Sequence, residues 1–266
     1  MAASTPGDIN LAVIGAGYWG KNLIRNFHEL GVLGGIVEDN AQRLDEFRLQ
    51  YPATEGFGSV EEVLERDEFN AVGIATPAET HYAIARRSLL AGKDTYVEKP
   101  LALRVDEAEE LHQLALDHGR ILMVGHLLLY HPAIVQIKEM IDAGELGRIY
   151  HIYSHRLNLG KVRQEENILW SFAPHDISVL LHLLNTMPEK VSCQGGMYLQ
   201  PNIHDVTLTT LEFPDNRLGH IHVSWLHPFK EHRLAIIGSR KMLVFEDTAA
   251  EDKLKLYDRG IDWTEG

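Results

Sequence analysis

Three glycines, Gly15, Gly17 and Gly20, follow a short apolar run from Ile9 to Ile14 and precede an amphipathic pattern through Leu23, Ile24 and Phe27. The order is strand, tight turn, helix, and the spacing is that of a dinucleotide-binding turn. In such a turn the first glycine reverses the chain, the second lets backbone N–H groups approach a pyrophosphate, and the third lets helix and strand pack closely. The phosphates then sit at the positive end of a helix dipole. Tyr18 and Trp19 lie within the turn and count with it as candidate cofactor contacts. A glycine triplet alone is a weak sign, since glycines also make ordinary turns. Here a second apolar run, Gly34 to Val37, ends in Glu38, 18 positions after Gly20. An acidic side chain at that distance holds a ribose 2′-hydroxyl and repels a 2′-phosphate, so NAD is expected in preference to NADP. Arg43 is open between stacking on the adenine and serving as a solvated helix charge.

Three further stretches carry chemistry. Ala75-Thr76-Pro77, with Thr80-His81 opening the next helix, stands at the carboxyl end of a buried strand, where ligands of open α/β sheets bind. Thr76, Pro77 and His81 are therefore candidate cofactor contacts, although Thr-Pro is also an ordinary helix start. Glu98-Lys99-Pro100 runs straight off the next strand. A lysine beside a positively charged nicotinamide would have its pKa pushed down and could pass protons or polarise a hydroxyl; the bland alternative is a surface ion pair. The third stretch, residues 158 to 176, is a polar loop with Asn158, Lys161, Arg163 and Asn167 that feeds Trp170, Ser171 and a helix whose first turn carries His175. An imidazole has the unperturbed pKa to take a hydroxyl proton near neutrality, though most of the fifteen histidines must be structural. His220 and His222 share a strand face near His227 and His232, but no ligand spacing completes a zinc site, and no metal is expected.

The elements that must hold these residues change rhythm once. From residue 9 to Gly125 strands alternate with helices, including a capping box at Ser59 to Glu62, a buried strand at Asn70 to Ala75, a helix from Glu79 to Ala91, a strand at Thr95 to Val97 and a helix capped by Asp106. Such alternation means a parallel, doubly wound sheet. Beyond Gly125 a helix from Pro132 to Ala143 leads to a long strand, Arg148 to Leu157, then to a helix from about Pro174 to Asn185 and a series of β-rich runs, among them Arg233 to Ile237. The run Leu127 to Leu129 reads as interdomain core. The expected fold is α/β: a Rossmann domain over 1–125, then a substrate-binding and oligomerisation domain over 126–266 with a large, open, mostly antiparallel sheet. An open sheet needs cover, and a homodimer or homotetramer through it is expected.

The bulk properties exclude other classes. The 266 residues carry a formal net charge of −13, which disfavours nucleic acid and anionic membranes as partners. A single cysteine, Cys193, excludes an intrachain disulfide framework. No signal-peptide pattern or membrane-length apolar run is found, so a cytoplasmic location is expected.

Taken in order, Gly-Ala-Gly-Tyr-Trp-Gly, Ala-Thr-Pro-x-x-Thr-His, Glu98-Lys99-Pro100 and His175-Asp176-Ile177 resemble the Gfo/Idh/MocA oxidoreductases over nearly the whole chain. The resemblance implies NAD(P)-linked oxidation or reduction of a sugar or cyclitol hydroxyl, with the family lysine at Lys99 and the catalytic histidine at His175. Many relatives place an aspartate four residues before that histidine, where this chain has Ser171; Asp176 is turned away by one helical step and does not replace it. The 158–170 loop is most similar to members acting on nucleotide-linked amino sugars. Asn158, Lys161, Arg163 and Ser171 are then candidate substrate contacts, and Trp170 a cofactor contact; Lys161 and Arg163 remain open between meeting a diphosphate and being surface charges. A UDP-N-acetylhexosamine 3-dehydrogenase is the first expectation and a free-sugar or inositol dehydrogenase the second. A non-catalytic NAD-binding sensor is the alternative of another class, which Ser171 keeps open.

Overall fold

The computed structural model describes residues 9–160, 162–164 and 166–260; Lys161 lies outside them. The chain divides into two compact units, Met1–Gly125 and His126–Gly266.

In the first unit, strands β1 (Leu11–Ile14), β2 (Leu33–Val37), β3 (Glu55–Phe57), β4 (Ala71–Ile74), β5 (Asp94–Val97) and β6 (Leu122–Val124) alternate with helices α1 (Gly20–Glu29), α2 (Ala41–Gln50), α3 (Val60–Leu64), α4 (Ala78–Leu90) and α5 (Val105–Asp117). All strand pairs are parallel, in the order β3-β2-β1-β4-β5-β6. The strand order reverses direction between β1 and β4, which opens a crevice at their carboxyl ends. Every residue of β1 is buried, because alternate side chains serve two cores. Leu11 and Val13 pack with Leu23 and Ile24 of α1 and Leu44 of α2, while Ala12 and Ile14 pack with Val63, Leu89 and Leu111 of α3, α4 and α5. The capping box forms: Glu62 reaches back to the Ser59 backbone N–H at 3.0 Å. Asp106 is not the cap of α5. Arg104 occupies that position in extended conformation, and Asp106 pairs with its guanidinium at 2.7 Å.

The second unit begins with a 3-10 turn over Leu127–Tyr130 and helix α6 (Pro132–Asp142). Leu128 and Leu129 are partly buried and pack against this unit's own core. Strand β7 (Ile149–Leu159) and helix α7 (Ile168–Leu184) follow, then β8 (Lys190–Gly196), β9 (Val206–Phe213), β10 (Arg217–Ser224), β11 (Leu226–Gly238), β12 (Met242–Glu246) and β13 (Leu254–Tyr257). The sheet runs β13-β12-β11-β7-β10-β9-β8 and is antiparallel except where β7 meets β10. Ile134 and Ile137 of α6 and Val179, Leu180 and Leu183 of α7 pack on one face against Ile152, Ile221, Val223, Leu234 and Ile236. The opposite face carries an aromatic stripe in which His155 lies 5.4 Å from Tyr153 and 5.6 Å from His222, ring centre to ring centre.

Helix α7 starts six residues earlier than its periodicity predicts. Asn167 caps it through its side chain, accepting from the Trp170 N–H at 3.1 Å, and Ile168 is fully buried; Pro174 sits inside the helix and not at its start. Strand β11 likewise begins seven residues before Arg233. No helix among the described residues is long and apolar enough to cross a membrane.

The β8–β9 connection hangs on one buried carboxylate. Asp205 accepts from the backbone N–H groups of Tyr198 at 2.6 Å and Leu199 at 2.9 Å, and from the indole of buried Trp225 at 2.6 Å. Burial alone would raise this carboxyl, but those donors and His204 hold it below the usual aspartate range. A depressed folded-state pKa gives stability that is present above the unfolded value and is lost as pH falls. Asp205→Asn is therefore expected to lower stability by about 2 kcal/mol at pH 7 in denaturant melts, with the gap to wild type closing as pH drops below about 4.

Candidate active site

The glycine turn is built by close backbone approach. Gly15 has φ +92°, and a Cβ there would meet the Ala75 carbonyl group and the Thr76 methyl at 3.0 Å. At Gly20 a Cβ would fall 1.9 Å from the Gly15 carbonyl oxygen, so α1 can start against the turn only with glycine. At Gly17 a Cβ would meet nothing within 4 Å. The hydrogen there opens room over the turn instead of fitting a tight contact, which is what a pyrophosphate approaching the backbone requires. No side chain caps α1, and its first turn carries no acidic residue to compete with an anion.

Two carboxylates hold this turn from either side. Glu38, at the end of β2 and 5% exposed, accepts from the Ala16 N–H through Oε2 at 3.0 Å. Its Oε1 accepts from the Asn40 N–H at 3.0 Å and from Arg43 at 3.1 Å. Burial pulls its pKa up, but the Asn40 and Ala16 amides, Asp39 and Arg43 together leave it below the usual range, so it is ionised at neutral pH. Arg43 thus braces Glu38, with its side chain 45% exposed. Glu98, at the end of β5 and 8% exposed, accepts from the Trp19 indole at 2.6 Å and from the Tyr96 hydroxyl at 2.8 Å. Through Trp19 it ties the Lys99 loop to the glycine turn. Tyr18 is exposed, with Lys21 over its ring at 5.2 Å.

Half-buried Lys99 follows directly, and the Lys99–Pro100 peptide is cis. His81 is 2% exposed, with Nδ1 2.7 Å from the Pro100 carbonyl oxygen and Nε2 2.9 Å from that of Thr76. This corrects its reading as a cofactor contact: both ring nitrogens face backbone carbonyls, and His81 joins the loops after β4 and β5. Thr76 is fixed by the Thr80 hydroxyl at 2.7 Å, and Pro77 is exposed beside it.

In the second unit His175 lies seven residues into α7, two turns from its start and not in the first turn. It is half-buried, and its carbonyl accepts from the Ser178 hydroxyl at 2.8 Å. Ser171 lies one turn earlier and is buried; Trp170, in the first turn, is 46% exposed. Asn158, the next-to-last residue of β7, is half-buried. Arg163 pairs with Glu166 at 3.3 Å, as a surface charge does. Two features are not singled out by sequence reasoning: the tie from Trp19 to Glu98, and a buried Ser154–Arg156–Asp176 cluster described below. Arg156 offered a signal, since it shares the inward face of β7 with Ile152 and Ser154.

Residues 9–126 match the oxidoreductase family with an NAD-binding Rossmann fold, and residues 134–244 match the GFO/IDH/MocA C-terminal domain. The crystal structure of an oxidoreductase from Magnetospirillum magnetotacticum superposes with a TM-score of 0.84 at 31% identity, covering 97% of this chain and 83% of that one. The chain belongs to the Gfo/Idh/MocA oxidoreductase family. The UDP-N-acetylglucosamine 3-dehydrogenase of Acidithiobacillus ferrooxidans is 30% identical over 184 residues, 69% of this chain and 56% of the relative. The NAD-dependent scyllo-inositol 2-dehydrogenase of Bacillus subtilis is 26% identical over 249 residues, 87% of this chain and 72% of the relative. As in the family, the first unit is an NAD-binding Rossmann domain, and its open Gly17, close-packed Gly20 and buried Glu38 fit that cofactor.

The two glycines separate binding from folding. Gly17→Ala is expected to leave the melting temperature nearly unchanged and to weaken NAD binding by calorimetry about tenfold or more, roughly 1.4 kcal/mol. Gly20→Ala is expected to cost about 1–3 kcal/mol of stability, because its Cβ would collide with backbone.

Proposed function

We propose that this oxidoreductase transfers hydride between NAD and a ring carbon bearing a hydroxyl in a UDP-N-acetylamino sugar, at the 3-position, with Lys99 and His175 acting on the hydroxyl. The observation that carries this reading is the placement of Lys99 at the carboxyl end of β5, tied to the glycine turn through the 2.6 Å bond between Glu98 and Trp19. Support for the sugar comes from the 30% identical relative named for that substrate and reaction.

When bound, NAD supplies the hydride acceptor. His175 takes the hydroxyl proton while the hydride leaves the same carbon, so that a carbonyl forms and one proton and one hydride are accounted for. Lys99 donates a hydrogen bond to the reacting oxygen and lowers the cost of the negative charge that builds there. Reduction runs the same path backwards, with His175 as acid. Glu38 orients the adenosine ribose and repels a 2′-phosphate, which selects NAD over NADP. Thr76, Pro77 and Trp170 border the cofactor in this reading, and Asn158, Lys161, Arg163 and Ser171 the substrate.

The inositol dehydrogenase relative favours a second reading, a free polyol as substrate. Initial rates at the NADH absorbance band, with NAD and either UDP-N-acetylglucosamine or an inositol, distinguish the two. With the accepted substrate, Lys99→Met and His175→Ala are each expected to lower turnover by about 100-fold or more while NAD still binds. Near-normal rates in either variant would remove that residue from the reaction.

A further inference from the structure

Asp176 follows His175 on α7 and turns inward. It is 4% exposed and is gripped on both oxygens by β7, the central strand of its sheet. The Ser154 hydroxyl donates to Oδ1 at 2.6 Å, and the Arg156 guanidinium donates through Nε to Oδ2 at 2.9 Å and through its second terminal nitrogen to Oδ1 at 3.1 Å. The remaining guanidinium nitrogen lies 3.5 Å from Nδ1 of His232 on β11. Burial, with Arg156 and Lys230 nearby, pushes His232 down to about 4, so at neutral pH it adds no positive charge to compete with Arg156 for the carboxylate.

A buried ion pair is poor value as a source of stability, because desolvating both ions offsets most of their attraction. What a bidentate pair supplies is direction. Direction matters here because Pro174, inside α7, has no N–H to give the Trp170 carbonyl, and the helical ladder is broken one residue before His175. On its carboxyl side the backbone of His175 is held by Asp176 on the sheet and by the Ser178 hydroxyl on its carbonyl.

We propose that the Ser154–Arg156–Asp176 clamp is a positioning device for His175: it fixes the rotation of α7 about its axis at the break made by Pro174, and so fixes where the imidazole points. Asp176 touches neither substrate nor cofactor in this role and acts through its neighbour. The inference rests on the reading of His175 as the group that handles the hydroxyl proton.

The test uses the full chain carrying Asp176→Asn, which keeps the shape and removes the charge. A small pocket lined by Arg156, Asp176, His232 and Asp247 has room for about one water beside the altered pair, which favours a folded variant. A second variant, Arg156→Lys, keeps the charge and loses the fork, so it separates direction from charge balance. For both, turnover is expected to fall about 10- to 100-fold, with KM for NAD and the NAD dissociation constant changed less than about threefold. An independent readout is carbon-13 NMR of ring-labelled histidine, with the His175 signal assigned by its loss in His175→Gln. That signal is expected to be single and sharp in the wild type and shifted, broadened or split in both variants. An unchanged His175 signal in a folded variant overturns the proposal, and so does turnover within twofold of wild type. If Asp176→Asn shows no melting transition, Arg156→Lys decides by the same criteria. If the wild type reduces no NAD with any sugar offered, the proposed function fails, and the NMR signal alone decides whether the clamp orients His175.

Discussion

The first unit depends on a backbone turn that two buried carboxylates hold at its edges. Glu38 takes the Ala16 amide and Glu98 takes the Trp19 indole, so the ends of β2 and β5 are both fastened to the loop between β1 and α1. A carboxylate buried to this extent is costly unless its oxygens are met, and here each of the two takes one of its donors from the turn itself. The consequence is a phosphate-binding turn whose shape exists before any ligand arrives. Position and chemistry are coupled in the same bonds: the residue after Glu98 is Lys99, and the carboxylate that holds Ala16 is the group suited to a ribose.

The second unit meets the same physical problem differently. The imidazole proposed for chemistry sits on a helix with a proline inside it, and a charge pair sunk into the sheet grips the residue that follows that imidazole. Both units therefore place buried charge immediately beside a residue proposed for chemistry. His81 belongs to the same pattern, since its ring spans two loop carbonyls at the strand ends and stiffens the floor of the site.

The architecture was readable from the sequence where periodicity and turn chemistry agree. Buried parallel strands such as Ala71–Ile74 are continuous apolar runs, Ser59 and Glu62 form the capping box that their spacing promises, and Gly15 and Gly20 make the turn and the close approach that their spacing implies. Boundaries failed where a tertiary partner outweighed a local signal. Pro174 resembles a helix start, yet the Asn167 cap and the buried Ile168 carry α7 a further two turns upstream. Strand β11 runs through His227, Pro228, Lys230 and Glu231, whose polarity hides it; it pairs with β7 at Leu226 and again from Glu231 onward, with an irregularity between them. The contacts that shape the site were the least readable part, because they join residues far apart in the chain: Trp19 and Glu98 are 79 positions apart, and Arg156 and Asp176 are 20.

The central claim is that hydride passes between a sugar carbon and NAD on this chain, and the transferred atom can be followed. UDP-N-acetylglucosamine carrying deuterium on the carbon that bears the 3-hydroxyl is incubated with the protein and NAD, and the nicotinamide product is weighed by mass spectrometry. The account predicts reduced cofactor heavier by a single deuterium. Reduced cofactor without the label, or NAD recovered unchanged with both this sugar and an inositol, would contradict it.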